Sequence, residues 1–246
     1  LVVLAAAFAA ADMGAATPGT TADAFEIAAA PVPATPLDKI VFSGLAKLKA
    51  HPTFCSDAVF VRRAYLDVIG TLPTAQEARD FIRAQVTANK RRRLIDRLLE
   101  RPEFADYWAM RWGDILRIKA EFPVNLWPNA AQAYHHWVRA AIAANKPYDQ
   151  FARELLTSSG SNFRVPPVNF YRAVQGRDPA NIAAAVALTL GGPRLDTWPE
   201  AKRTDLTAFF SRLTYKSTKE WKEEIVCLNP TATTPLAAVL PDGTKV

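Results

Sequence analysis

Cysteine is almost absent from this chain. Only Cys55 and Cys227 occur in 246 residues, and they form neither Cys-x-x-Cys nor Cys-x-x-Cys-His, spacings that bound metals and redox-active thiols use. Histidine is nearly as scarce, with His51, His135 and His136 only. Neighbours on a helix point about 100° apart, so His135 and His136 do not readily hold one ion together. No two histidines and no two cysteines stand at the i, i+4 spacing of a helical metal site, and no acidic run has the pattern of a calcium loop. The expectation is no resident metal. Gly-x-Gly-x-x-Gly and phosphate-loop patterns are missing, which removes support for nucleotide chemistry. A Gly-x-Ser-x-Gly elbow is missing too, which makes a serine hydrolase a poor fit. No apolar run reaches the roughly 20 residues of a membrane-spanning helix.

What is present is the mix of a globular protein, 50% hydrophobic and 22% charged, with 18 prolines between apolar blocks. The apolar run Leu1–Ala11 is followed by small residues, with Gly14 and Ala16 placed as −3 and −1 of a cleavage site. Residues 1–16 therefore read as a signal segment, the alternative being a buried Ala-rich helix. Residues 17–36, rich in Ala, Thr and Pro, read as a flexible leader. Export to the periplasm or cell surface follows as an expectation. In an oxidising compartment Cys55 and Cys227 could form a disulfide, or remain two buried thiols. The chain carries a net charge of +6, concentrated in "KRRRLIDRLLERPEF" from Lys90. A nucleic-acid patch is one reading. A solvated helix face opposite the stripe Leu94, Ile95, Leu98 and Leu99 is the other, and with export and no binding motif the nucleic-acid partner is set aside.

Helical spacing and capping signals run from residue 37 to 214. Apolar residues Ile40, Val41, Leu45 and Leu48 predict a first helix from near Asp38. Ser56 or Asp57 caps the next, and Gly70 ends it. Thr74 and Glu77 have capping-box spacing. Pro102 opens a Trp-rich helix at its first position, Pro147 begins another that Gly160 closes, and Asp178-Pro179 and Pro199 launch two more. "EEIVCLN" and "LAAVLPDGTKV" suggest strands in residues 215–246, a β-rich segment that reads as the start of something longer. The fold class is mainly α, a helical bundle with a small β-rich C-terminal extension.

Two constellations could carry a site. On the Trp-rich helix, Phe104, Trp108, Ile115 and Leu116 share a side with Trp112 close by, while Arg111 and Asp114, at i, i+3, are spaced for an ion pair. This is either a polar site walled by aromatics or core packing with a salt bridge. The stretch "SSGSNFRVPPVNFYR" reads as a loop on a helical scaffold, offering Ser158, Ser159, Ser161, Asn162, Arg164, Asn169, Tyr171 and Arg172. Arg111, Asp114, Tyr171 and Arg172 are the candidate contact residues, with no catalytic residue assigned.

The blocks "VRRAYLDVIGTLPTAQEARDFI", "RLIDRLLERPEFADYWAMRWGDILRI", "WVRAAIAANKPYDQFARELL" and "NFYRAVQGRDPANIAAAVALTLGGPRL" occur in this order. Together they resemble the cytochrome-associated domain of unknown function found in planctomycetes and related bacteria, over about Pro36 to Val246. The resemblance implies an exported protein whose relatives often continue into a second domain, many of them fused to or encoded beside c-type cytochrome modules and polymer-degrading enzymes. It also implies that many relatives carry Cys-x-x-Cys-His after the "LG-x-R-L" element, where c-type haem would be tethered. Here "GGPRLDTWPEAKR", Gly191–Arg203, has no Cys and no His, so no haem cofactor is expected. The leading expectation is a haem-free binding or scaffold component of an envelope assembly, with a c-type cytochrome, another envelope protein or a polysaccharide as partner. A hydrolase of an extracellular polymer using carboxylates such as Asp114 is the alternative. An electron-transfer protein is a second, disfavoured by the missing haem motif.

Overall fold

A capping side chain or a proline marks most of the helix starts in the computed structural model, which describes residues 25–27, 31–87, 89–121, 124–192, 194–233, 237–240 and 243–246. The expected signal segment at 1–16 and most of the leader lie outside these residues. In chain order the elements are β1 (Glu26–Ile27), α1 (Pro36–Lys47), β2 (Phe54–Cys55), α2 (Asp57–Ile69), α3 (Ala75–Arg83), α4 (Lys90–Leu99), α5 (Pro102–Ile115), α6 (Pro128–Ala143), α7 (Tyr148–Thr157), β3 (Gly160–Ser161), α8 (Asn169–Ala173), α9 (Pro179–Val186), α10 (Glu200–Ala208), β4 (Leu213–Ser217) and β5 (Glu224–Leu228). The protein is mainly α with a small antiparallel sheet near the C-terminus. Its described residues form two compact units. One comprises those up to Leu66 with Leu72–Arg91, the other Asp67–Thr71 with Arg92–Val246.

In the first unit, Thr35 caps α1 and forms a capping box with Asp38, so the helix opens at Pro36, ahead of the expected start. Ser56 Oγ accepts from the Val59 N–H at the head of α2, and Thr74 and Glu77 make the expected box on α3. The basic run does not begin on a solvated face. Lys90 is buried and donates to Asp57 Oδ2 at 2.8 Å and to the Ala84 carbonyl at 2.9 Å. Arg91 donates to Asp57 Oδ1 and to the Cys55 carbonyl. Both cations also cover stacked rings, Lys90 over Phe81 and Arg91 over Phe60. Burial alone would raise the Asp57 pKa, but the hydrogen bonds and charges of Lys90 and Arg91 hold it below the usual carboxylate value.

In the second unit, α5, α6 and α7 lock together through aromatics. Trp112 meets Phe151 edge-on at 5.3 Å, and Trp137 stacks on Phe151 at 4.9 Å. Tyr134, Val138, Leu155, Phe170 and Ile182 complete a core shared with α8 and α9. Trp108 donates to the Val68 carbonyl. The tryptophans of α5 are thus packing residues, although Ile115 faces solvent and Leu116 is buried beyond the helix end. On α4, Leu94 and Leu98 are buried while Leu99 is exposed, so the apolar stripe is narrower than expected.

The three-stranded sheet runs β3–β5–β4, all antiparallel, with Gly160 opposite Val226 and Tyr215 opposite Val226 on the other edge. Two differences from the expected elements stand out. Helix α7 ends at Thr157, and Gly160 enters a strand. The stretch after it is not a surface loop, because Asn162, Asn169, Phe170 and Tyr171 are buried. Its polar side chains replace ladder hydrogen bonds. Asn169 Nδ2 donates to the carbonyls of Asn162 and Pro166, and Asn162 Oδ1 accepts from the Glu224 N–H, so buried backbone groups are satisfied without regular structure. Among the described residues the final expected strand is represented by the bridge of Val239 with Lys245. Cys55 and Cys227 are both free, half-buried thiols.

Candidate functional site

The end of α8, the segment before α6 and the β4–β5 hairpin enclose a cleft of about 900 Å³ in the second unit. Its deepest charged group is Arg172, whose side chain is 7% exposed. Arg172 Nε donates to Glu224 Oε2 at 2.8 Å. Arg177 grips the same carboxylate with both terminal nitrogens, each at 2.9 Å, and its guanidinium lies over the Tyr215 ring at 4.4 Å. Burial acts first on Glu224 and raises its pKa; the hydrogen bonds from Arg177 and Arg172 outweigh it and leave the carboxyl below its usual value. Glu223 is lowered as well, by Ser161 and Thr218 hydroxyls that donate to it at 2.5 and 2.8 Å. Both carboxylates are therefore ionised at neutral pH and act as acceptors, not proton donors. Burial pushes the Tyr215 phenol up to about 12.

The rim is aromatic and cationic. Trp221, 76% exposed, and Trp127, 37% exposed, stand with ring centroids 6.2 Å apart. Lys222 Nζ lies 5.0 Å from one ring and 5.4 Å from the other. Trp127 is held at φ 66, ψ 153, a region almost reserved for glycine and costing roughly 1–3 kcal/mol. Asn125 and Lys222, also on the cleft wall, have φ of 54 and 60. Two neighbours over-determine the Trp127 backbone. Leu126 is buried in the core with its N–H on the Lys119 carbonyl, and Pro128 restricts the residue before it to extended ψ. Strain held in place this way at a concave, aromatic-rimmed surface is a mark of a ligand site.

Of the four residues expected from sequence, Arg172 alone lines this cleft. Tyr171, its neighbour on α8, points into the core, where its hydroxyl donates to the Leu156 carbonyl at 2.7 Å; burial carries its pKa well above normal. Arg111 and Asp114 are both exposed on α5. The ion pair expected between them is not formed among the described contacts, in keeping with the small gain such a surface pair offers. Asp114 instead borders a second hollow of about 450 Å³ with Arg117 and Lys119. The sequence reading missed Trp127, Arg177, Trp221, Lys222 and Glu224. Trp221, a lone tryptophan inside "KSTKEWKEE", was the legible signal, since a large ring in a charged hairpin has no core to join.

Gly191–Arg203 is a turn between helices. A π-type turn carries α9 through Ala187–Gly191, Gly192 adopts φ 84, Leu195–Thr197 form a 3-10 turn and Pro199 caps α10. With neither thiol nor imidazole in this segment, it does not fit covalent haem attachment. Among the described residues, no group of three or more His, Cys, Asp or Glu is placed to hold a metal, and no helix is long and apolar enough to cross a membrane.

A family model described as PSCyt2, protein of unknown function (DUF1549), matches residues 36–188. No curated protein and no solved structure matches the chain. The family match spans more than half of the sequence and includes α8 and the Trp127 segment, so the chain belongs to this planctomycete cytochrome-associated domain family of unknown function.

Proposed function

We propose that the protein is a haem-free binding component of an exported envelope assembly, and that the Trp127–Trp221 cleft holds a saccharide chain. The observation that carries this reading is the pair of exposed tryptophans beside fixed donors and acceptors. A sugar ring has an apolar C–H face that lies against indole and hydroxyls that need both hydrogen-bond partners. Trp127 and Trp221 offer the first; Glu223, Glu224, Arg177 and the lysines offer the second. Export and a c-type cytochrome or other envelope protein as neighbour are part of the proposal and agree with the family's cytochrome association.

Binding is favoured over hydrolysis by the protonation states. Glycoside hydrolysis through two carboxyl groups needs one protonated acid near the operating pH. Two of the three carboxylates on the cleft wall, Glu223 and Glu224, are held below their usual values, and among the described residues Asp114 is the one carboxylate lining its hollow. The test is a glycan array followed by calorimetry on the hits. The expected result is saturable binding weakened at least about tenfold in Trp221→Ala, with no new reducing ends released on long incubation. Turnover of a bound glycan, lost in Asp114→Ala while binding persists, would replace this reading with the hydrolase.

A further inference from the structure

We infer that the saccharide this cleft takes is acidic, its anionic substituent seated at the Arg172–Arg177 end. The inference rests on the saccharide reading above and narrows it to a ligand class. One carboxylate, Glu224, serves two guanidinium groups there. Arg172 is more than nine-tenths buried and lines the cleft, and its buried Nη1 has no hydrogen-bond partner among the described residues. Glu224 is shared with Arg177, so the two guanidinium charges at this end are matched by a single carboxylate. Arg177 is 48% exposed, so its guanidinium is open to the cleft while Glu224 and the Tyr215 ring fix its plane.

The other charges around the cleft agree with this assignment. Lys219 and Lys222 add two cations to the wall. Against them stand Glu220, which is exposed, and Glu223, whose oxygens accept from Ser161 and Thr218 and face Arg164 at 3.9 Å. Four cations thus meet three carboxylates, and the surplus lies where Arg172 and Arg177 share Glu224. A planar fork presented beside an indole platform matches a carboxylate or sulfate ester carried on a sugar ring. Arg172 was a candidate contact residue from sequence; its role here is the buried positive charge behind Glu224, with Arg177 the exposed donor.

The experiment is calorimetry on the full chain with three oligosaccharides of equal length: neutral, uronate-bearing and sulfated. The acidic ligands are expected to bind at least about tenfold tighter than the neutral one at low salt, with the preference shrinking between about 0.05 and 0.5 M salt. Arg177→Gln should bring the ratio of acidic to neutral affinity close to one, with folding checked by thermal melting. Arg177→Lys, which keeps the charge and removes the planar fork, carries the same test if the glutamine variant does not fold. The uronate and sulfate arms decide which substituent fits. Equal affinities for neutral and acidic ligands, both sensitive to Trp221→Ala, would overturn the inference and leave the saccharide reading standing. Binding of inorganic sulfate that Arg177→Gln abolishes, with no saccharide bound, would overturn the saccharide reading instead.

Discussion

Arg172 and Glu224 meet at the inner end of the cleft, Nε to Oε2 at 2.8 Å, with side chains 7% and 17% exposed. Glu224→Gln keeps the shape of the side chain and removes the charge that two guanidinium groups share. Arg172 then remains a buried cation without a counter-charge, which costs about 3 kcal/mol or more. Urea denaturation should show the midpoint falling with the slope unchanged. A stability within 0.5 kcal/mol or so of the parent would mean that the pair holds nothing in place.

The charged groups also set both ends of the pH–stability curve. Asp57 and Glu224 have folded pKa values below their ordinary 3.8 and 4.5. Their contribution is therefore complete above about pH 4.5 and is lost as pH falls through the lowered folded values. Tyr215 has the opposite sense, raised from 10.0 to about 12, and Tyr171 is raised too. Their contribution is complete below pH 10 and is lost as pH rises from 10 toward 12. Melting temperature against pH should show a plateau between these limits. Phenolate absorbance should show Tyr134, which burial raises as well, titrating late with Tyr171 and Tyr215, together with unfolding. Ordinary titration of all six tyrosines before unfolding would contradict the burial of these three.

Gly70 follows α2 at φ 71, and a Cβ there would overlap the Tyr107 ring, Cγ lying at 2.8 Å. Alanine would meet both the left-handed backbone penalty and the ring, for a combined loss of about 2–4 kcal/mol. Pairing Gly70→Ala with Tyr107→Ala separates the two. The double variant should recover the part due to overlap, so that the two losses are less than additive. Strict additivity would show that the ring is not what Gly70 makes room for.

Gly70 and the caps at Thr74, Pro102 and Asp178 were legible in the sequence because the physics is local: the groups that satisfy one another lie within a turn. The cleft was not legible, because its groups come from distant segments. Arg172 needs Glu224 from a hairpin that follows it, and nothing in "NFYRAVQG" announces that partner. The segment around Asn162 and Asn169 read as a loop for a related reason. Polar residues and paired prolines usually mark one, whereas here the amides sit inside and do the work of a ladder. On α5, spacing alone permitted an Arg111–Asp114 pair, but spacing does not reveal whether solvent competes for both partners. Lys90 was the reverse error. It opened a run of surface-type charges, yet Asp57, from a helix far back in the chain, draws it inside.

Trp127 provides the test of whether strain in this fold is tied to its cleft. At φ 66 and ψ 153, any residue with a Cβ is penalised by about 1–3 kcal/mol, and glycine is not. Trp127→Ala loses the partly buried ring and keeps the penalty. Trp127→Gly loses the same ring and escapes it, offset by about 0.5–1 kcal/mol of extra chain entropy. The glycine variant should therefore be the more stable of the two by about 1 kcal/mol, reversing the usual order of alanine over glycine. Both should lose saccharide affinity alike, since both remove the platform beside Trp221. Thermal melts and calorimetry on the same samples decide it. An alanine variant more stable than the glycine one would show the backbone at Trp127 to be relaxed, and with it would go the case that the chain bears strain to present this ring.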